Sequence, residues 1–263
     1  MPNTTDNFDI PFLDGTELVR DYPQFSEDLA EAIDAGLSGG AGPVPFYRFV
    51  QTLYFTSNGT FTKADYPWLR AVRVKCQGGG GGGSGAPATG ASTVSGGGGG
   101  GGSGYAESFI TDIAGLAASV TVTRGAGGAG GVGAANGSAG GNSVFDSVTA
   151  NGGSGGQVGI AAAPADVFGG GGFGGSGSGG DLIVRGSGGT AFFAQGTARL
   201  YSGAGGGSHL GGGLPNGVFS SGSAGTSGRL YGGGGSSAAN TPNQSARNGG
   251  AGGNGIVIVE LYA

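Results

Sequence analysis

A single histidine, His209, and a single cysteine, Cys76, bound the chemistry open to this 263-residue chain. One imidazole removes the commonest metal-binding and triad arrangements. The carboxylates of the glycine-rich part, Glu107, Asp112, Asp146, Asp166 and Asp181, are scattered, with no pairing motif for glycoside hydrolysis. Asp112 and Asp181 adjoin strand-like runs, so they read as turn or cap residues. Several G-x-G-x-x-G matches occur, but in so glycine-rich a chain they carry almost no information, and G-K-[ST] is absent. The expectation is a protein with no catalytic residues, no cofactor and no metal.

Binding is the better prospect. Between Gly186 and Arg247, glycine phrases alternate with isolated large groups, among them Phe192, Phe193, Arg199, Leu210, Asn240, Asn243, Gln244 and Arg247. Aromatic faces beside arginine and asparagine suit sugar rings, which stack on π surfaces and exchange hydrogen bonds in wet sites. Tyr201, His209, Phe219, Arg229 and Tyr231 are the candidate receptor-binding residues. The competing reading of each aromatic is a plug filling space in a glycine matrix.

The elements that must position these groups are unusual. Glycine supplies 70 residues, with unbroken runs at Gly78 to Gly83 and Gly96 to Gly102. Such composition is costly to order and often marks a disordered linker. Two features oppose that reading. The block is bracketed by Leu69 to Cys76, which alternates apolar and basic residues, and by the β-branched Gly255 to Tyr262. Paired, they would close the block as an insertion anchored at both ends. Within it runs a period of three: Ala126, Ala129 and Val132, then Asn248, Ala251 and Asn254. A helix with three residues per turn puts the side chains of a G-G-X phrase on one edge and leaves two edges of bare backbone for lateral hydrogen bonds. Collagen is excluded because the repeat is interrupted and only 10 prolines are present.

The predicted fold is mainly β: a small antiparallel sheet clasping a glycine-rich domain of polyglycine-II helices and short strands, with a short N-terminal helix. Residues 1–40 form an acidic attachment or oligomerisation segment, 41–77 a β-hairpin region and 78–255 the glycine-rich domain, closed by the strand 256–263. Phe46 to Thr56, Phe61 to Lys63 and the two bracketing strands are expected in one sheet. Leu116 to Thr123 and Asp181 to Arg185 read as further strands, and Ser57-Asn58-Gly59-Thr60 as a turn.

Charge is placed unevenly. Residues 1–36 hold nine acids against Arg20, about −8, leaving about +3 elsewhere in a chain of net charge −5. Ser26 to Gly36 reads as a helix with Ser26 as N-cap, Gly36 at C′, and an apolar stripe of Phe25, Leu29, Ala32 and Ile33 awaiting an attachment or self-association partner. No basic cluster interleaved with aromatics suggests nucleic acid. No secretory signal or membrane-length apolar stretch is visible. Cys76 reads as a buried, inert thiol.

The order of phrases from about Phe46 onward resembles glycine-rich minor tail proteins and tail-fibre adhesins of tailed, siphovirus-like phages. The phrases are Asn58 to Lys63, Leu69 to Gly80, Gly101 to Glu107, Val120 to Gly128 and Gly249 to Glu260. The acidic head with Tyr22-Pro23 and Asp28 to Asp34 is similar to the start of such proteins. The resemblance implies a virion component at the distal tail, commonly a homotrimer, joined to other tail proteins through its N-terminal segment and contacting a host-surface glycan or protein. It carries over no ligand residue. A purely structural tail or decoration protein without receptor affinity is the alternative. An ice-binding bundle is a third, for which the threonine and alanine rows are too interrupted.

Overall fold

A computed structural model describes residues 3–4, 11–12, 47–164, 169–197, 199–215 and 217–263. The proposed helix with Phe25, Leu29, Ala32 and Ile33, and also Asp166, lie outside the described residues. The chain divides into two compact units, Met1–Arg48 and Phe49–Ala263. In the first, β1 (Asn3–Thr4) pairs antiparallel with β2 (Pro11–Phe12).

The second unit holds β3 (Phe49–Phe55), β4 (Gly59–Thr62), β5 (Ala71–Gln77), β6 (Ser95–Gly96), β7 (Tyr105–Ile110), β8 (Ser119–Thr123), β9 (Ser143–Phe145) and β10 (Val148–Ala150). It continues with β11 (Gly177–Ser178), β12 (Leu182–Val184), β13 (Phe193–Gln195), β14 (Arg199–Tyr201), β15 (Val218–Phe219), β16 (Ala239–Asn240) and β17 (Ile256–Tyr262). The two bracketing strands do pair: β17 lies antiparallel to β5, from Ile256 opposite Gln77 to Tyr262 opposite Ala71. The clasp is larger than one sheet. One five-stranded sheet runs β12-β7-β5-β17-β3 and a second runs β11-β10-β9-β8-β4. Although the Asn58 turn joins β3 to β4, β4 leaves β3 and pairs with β8 in the second sheet.

Alternation explains the packing between the sheets. Val72, Val74 and Cys76 of β5 and Val257, Val259 and Leu261 of β17 meet Phe61, Val120, Val122, Phe145 and Val148 of the other sheet, all buried. Cys76 is fully buried, and its thiol is pushed up to about 12 by burial.

The glycine block is a lattice of three-residue-per-turn helices. The 78–86 segment donates its N–H groups in rotation. Gly78, Gly81 and Ser84 reach Gly104, Gly101 and Gly98; Gly79, Gly82 and Gly85 reach Gly141, Ser138 and Ala135; Gly80, Gly83 and Ala86 reach Gly253, Gly250 and Arg247. Its carbonyls accept in the same rotation, from Gly153 and Gly156, from Gly128 and Gly131, and from Gly235 and Ala238. The numbering shows that the accepting neighbours run antiparallel and the donating ones parallel. Successive neighbours also bond to one another, as Ser138 to Ala129 and Gly252 to Gly128, so a hexagon closes around the 78–86 helix. The 97–104 helix is enclosed likewise, by 78–84, 151–157, 172–175, 187–190, 204–206 and 232–235.

The unbroken runs are thereby explained. A peripheral helix has an open edge for its X residue, whereas a helix surrounded on every side has none. A Cβ on Gly79, Gly81 or Gly82 would overlap the carbonyl of Ala126, Ser154 or Ala129, and one on Gly98 or Gly101 that of Gly170 or Phe173. Each lateral bond contributes about 1 kcal/mol net, no more than the roughly 1–2 kcal/mol it costs to fix one residue. The lattice therefore needs the apolar sandwich that anchors its ends.

Candidate functional site

The candidate residues do not form one surface. They divide between the two ends of the bundle, which lie about 25 Å apart along the nine residues of the 78–86 helix at about 3.1 Å per residue. The sandwich end begins at Gln77, whose Nε2 donates to Ser103 Oγ at 2.7 Å and to Gly104 O at 2.8 Å while Oε1 accepts from Leu210 N at 3.1 Å. There the exposed His209 sets its ring against Tyr105, centroids 4.4 Å apart. Nearby, Ser208 Oγ accepts from Gly211 N and donates to Tyr231 O, and the Arg229 carbonyl accepts from Gly233 N. His209 and Tyr231 thus belong to the sandwich end, with Arg229 two residues from Tyr231.

The face of the β12-β7-β5-β17-β3 sheet turned away from the core carries a charge ladder. Lys75 pairs with Glu260 at 2.5 Å and Arg73 with Glu107 at 3.7 Å. Tyr105 donates to Glu107 at 2.6 Å and Tyr262 to Glu260 at 3.1 Å. Burial opposes ionisation of Glu260, but the hydrogen bond and charge of Lys75, with Tyr262 and Arg73, outweigh it and hold the carboxyl below its usual range. Burial first, then Glu107, raises Tyr105 above the ordinary phenol range. The aromatic members interlock, with Arg73 over the Phe109 ring and Tyr262 edge-on to both Phe49 and Phe109. The polar tips of Arg73, Lys75, Tyr105, Glu107, Glu260 and Tyr262 thus partner one another on this face.

The far end is different. β13, β14 and β15 form a three-stranded sheet with Phe193 opposite Tyr201 and Gln195 opposite Arg199. Between them Ala194 and the fully buried Leu200 turn inward onto Val94, Phe192 and Ala239. Gly96 leaves the space that the Phe192 ring fills. By alternation Phe193, Gln195, Arg199 and Tyr201 share the opposite, outward side. Phe193 is 58% exposed and its ring stands 5.9 Å from that of Tyr201. Phe219 lies in β15, its backbone opposite Leu200.

Of the candidates whose side chains are described, only Tyr201 therefore sits in this outward group. Gln195 was missed, and Phe193 was not distinguished from its buried neighbour Phe192. The usable signal was the hairpin pattern of Phe193-Ala194-Gln195 and Arg199-Leu200-Tyr201 about the turn at Gly196, where φ is +71°.

Glu107, Asp112 and Asp181 have structural partners. Asp112 accepts from Gly115 N in a turn, Asp181 accepts from Phe109 N and Ser108 Oγ, and Asp146 holds a turn at φ +51°. Among the described residues no group of three or more His, Cys, Asp or Glu comes together to hold a metal ion, and no helix is long and apolar enough to cross a membrane. No protein of curated function matches the chain. The family model described as a glycine-rich domain matches residues 56–262, almost the whole second unit, and the chain belongs to that family.

Proposed function

We propose that this is a non-enzymatic tail-fibre or tail-tip protein of a phage virion that recognises a glycan on the host surface. The observation that carries the reading is the outward group Phe193, Gln195, Arg199 and Tyr201, at the end of the bundle remote from β3 and β17. Two aromatic faces with an amide and a guanidinium beside them match the needs of a sugar ring, which stacks through its C–H face and hydrogen bonds at its rim. The remaining side chains of that end fill space or brace loops: Arg247 donates to Asn240 and Gln244, and Thr89 holds Gln244 N and Thr241 O. In this reading the N-terminal segment attaches the protein to other tail components, the glycine lattice is a rigid spacer, and the protein acts on the virion outside the cell that made it.

Labelled full-length protein is incubated with a panel of bacterial cells, isolated walls and wall glycans. Saturable binding is expected, lowered about tenfold or more by Phe193→Ala with Tyr201→Ala, with the melting temperature unchanged. Phe192→Ala serves as the structural contrast, costing about 3–5 kcal/mol of stability as a large-to-small core change. Absence of saturable binding across the panel favours the structural tail or decoration protein instead.

A further inference from the structure

Charge is divided between the two ends of the bundle. The described residues hold the side-chain carboxylates of Asp65, Glu107, Asp112, Asp146, Asp181 and Glu260. All of them lie in the strands of the two five-stranded sheets or in the turns that join those strands. The far end has none among the described residues, yet it carries two guanidiniums, Arg199 and Arg247.

Neither charge is cancelled. Arg247 donates to the neutral amide oxygens of Asn240 and Gln244 at 3.0 Å each, which brace it without compensating it. Arg199 makes no ion pair with any described carboxylate and is exposed in the outward group. The two belong to one assembly, because Leu200, next to Arg199, packs on Ala239, next to the Asn240 that accepts from Arg247. An uncompensated guanidinium attracts an anion from solution, whereas one already paired with a carboxylate does not.

The strand register sets where that charge falls. Phe193 stands opposite Tyr201 and Gln195 opposite Arg199, so the amide and guanidinium are displaced from the aromatic pair by about 7 Å along the strands. A sugar ring stacked on Phe193 or Tyr201 therefore has Gln195 and Arg199 at its edge. That edge is where an exocyclic carboxylate or phosphate projects, and a guanidinium grips either one through two parallel N–H bonds.

We infer that the outward group selects anionic sugars, those carrying a carboxylate or a phosphate, over neutral ones; this rests on the glycan reading of the same site. Aromatic stacking supplies contact that any pyranose can make, and Arg199 supplies the discrimination. Because Arg199 is exposed, its part of the binding is screened by salt.

The test takes the wall glycans of the binding panel in three forms: untreated, with carboxylates reduced to alcohols, and with phosphates removed. Full-length wild type, Arg199→Gln and Arg199→Lys are titrated with each. The position is exposed, so both variants should keep the wild-type circular dichroism and melting temperature. A glycan bound saturably by wild type should lose about tenfold or more in affinity on one or other treatment, and the treatment that does it identifies the anion. Arg199→Gln should lose a similar factor on the untreated glycan and none on the neutralised one, and should shed the salt dependence seen between about 0.05 and 0.5 M. Arg199→Lys, a point charge without the fork, should fall between. Equal affinity for all three forms, or an Arg199→Gln that binds untreated glycan as wild type does, overturns the inference and leaves the glycan reading standing. Saturable binding to no glycan in the panel overturns the glycan reading and the inference with it.

Discussion

The α-carbon of Gly82 faces the carbonyl oxygen of Ala129 on a parallel neighbouring helix, with no room between them for a methyl group. Gly82→Ala should therefore cost about 3 kcal/mol or more, as an overpacking that backbone cannot relieve. Ala129 itself points to solvent, so Ala129→Ser should fall within about 0.5 kcal/mol of wild type. Urea denaturation of the two variants gives the comparison. Equal effects would mean that the runs are not the interior of the lattice.

Asparagine closes the open edges. Asn142 and Asn136 accept from the N–H groups of Gly152 and Val158 at 3.0 and 2.8 Å, and Asn254 and Asn248 accept from Gly127 and Gly133 at 2.9 and 3.0 Å. Each Asn→Ala change should cost about 0.5–1 kcal/mol. Asn136→Ala with Asn142→Ala should be nearly additive, because the two are two helical turns apart. Amide exchange should quicken at Gly152 and Val158 before it does in the 78–86 helix.

The Lys75–Glu260 pair makes stability fall in acid. Its folded carboxyl titrates below the ordinary value of 4.5, so the contribution is complete above that pH and is lost as pH drops through the folded pKa. Glu260→Gln should be less stable than wild type at pH 7 by under about 1 kcal/mol, since the pair is partly exposed. The difference should shrink as pH falls below about 4.5 and through the lowered folded pKa. Melting temperatures of both proteins from pH 7 into acid measure it, and a constant gap would remove the pair as its source.

Cys76 should be inert to thiol reagents at pH 8 and react only as fast as the protein unfolds. Its thiol is raised from 9.0 to about 12 by burial in the sandwich core. Because the unfolded thiol loses its proton first, this group lowers stability as pH rises from about 9 toward 12. Cys76→Val should flatten that part of the alkaline profile. Labelling kinetics in native buffer and in denaturant separate access from ionisation.

Much of the frame was legible because it rests on short-range patterns. Alternation in Leu69 to Cys76 located β5, and β-branching in the last eight residues located β17. Asp112 takes the turn role that its position beside a strand suggested, whereas Asp181 instead accepts from Phe109 N of the neighbouring strand β7. The candidate site was less legible. Tyr201, His209, Arg229 and Tyr231 are close in sequence, yet helices of about 25 Å carry the chain from one end of the bundle to the other between them. Adjacent residues part as sharply: Phe192 is 1% exposed and Phe193 58%, because a strand turns alternate side chains to opposite sides.

The sequence alone determined the materials: the three-residue period, the clasping strands, and a composition without a triad or histidine metal site. These follow from what each residue permits locally, glycine permitting close backbone approach and β-branched residues favouring extension. Only the tertiary structure decided that the unbroken runs are the two enclosed helices, that β4 deserts β3 for a second sheet, and that Phe193, Gln195, Arg199 and Tyr201 face outward together. The reason is that a bare polyglycine helix has the same donors and acceptors on all three edges. Its neighbours are chosen by long-range registers, such as Gly80 to Gly253, which no local pattern encodes.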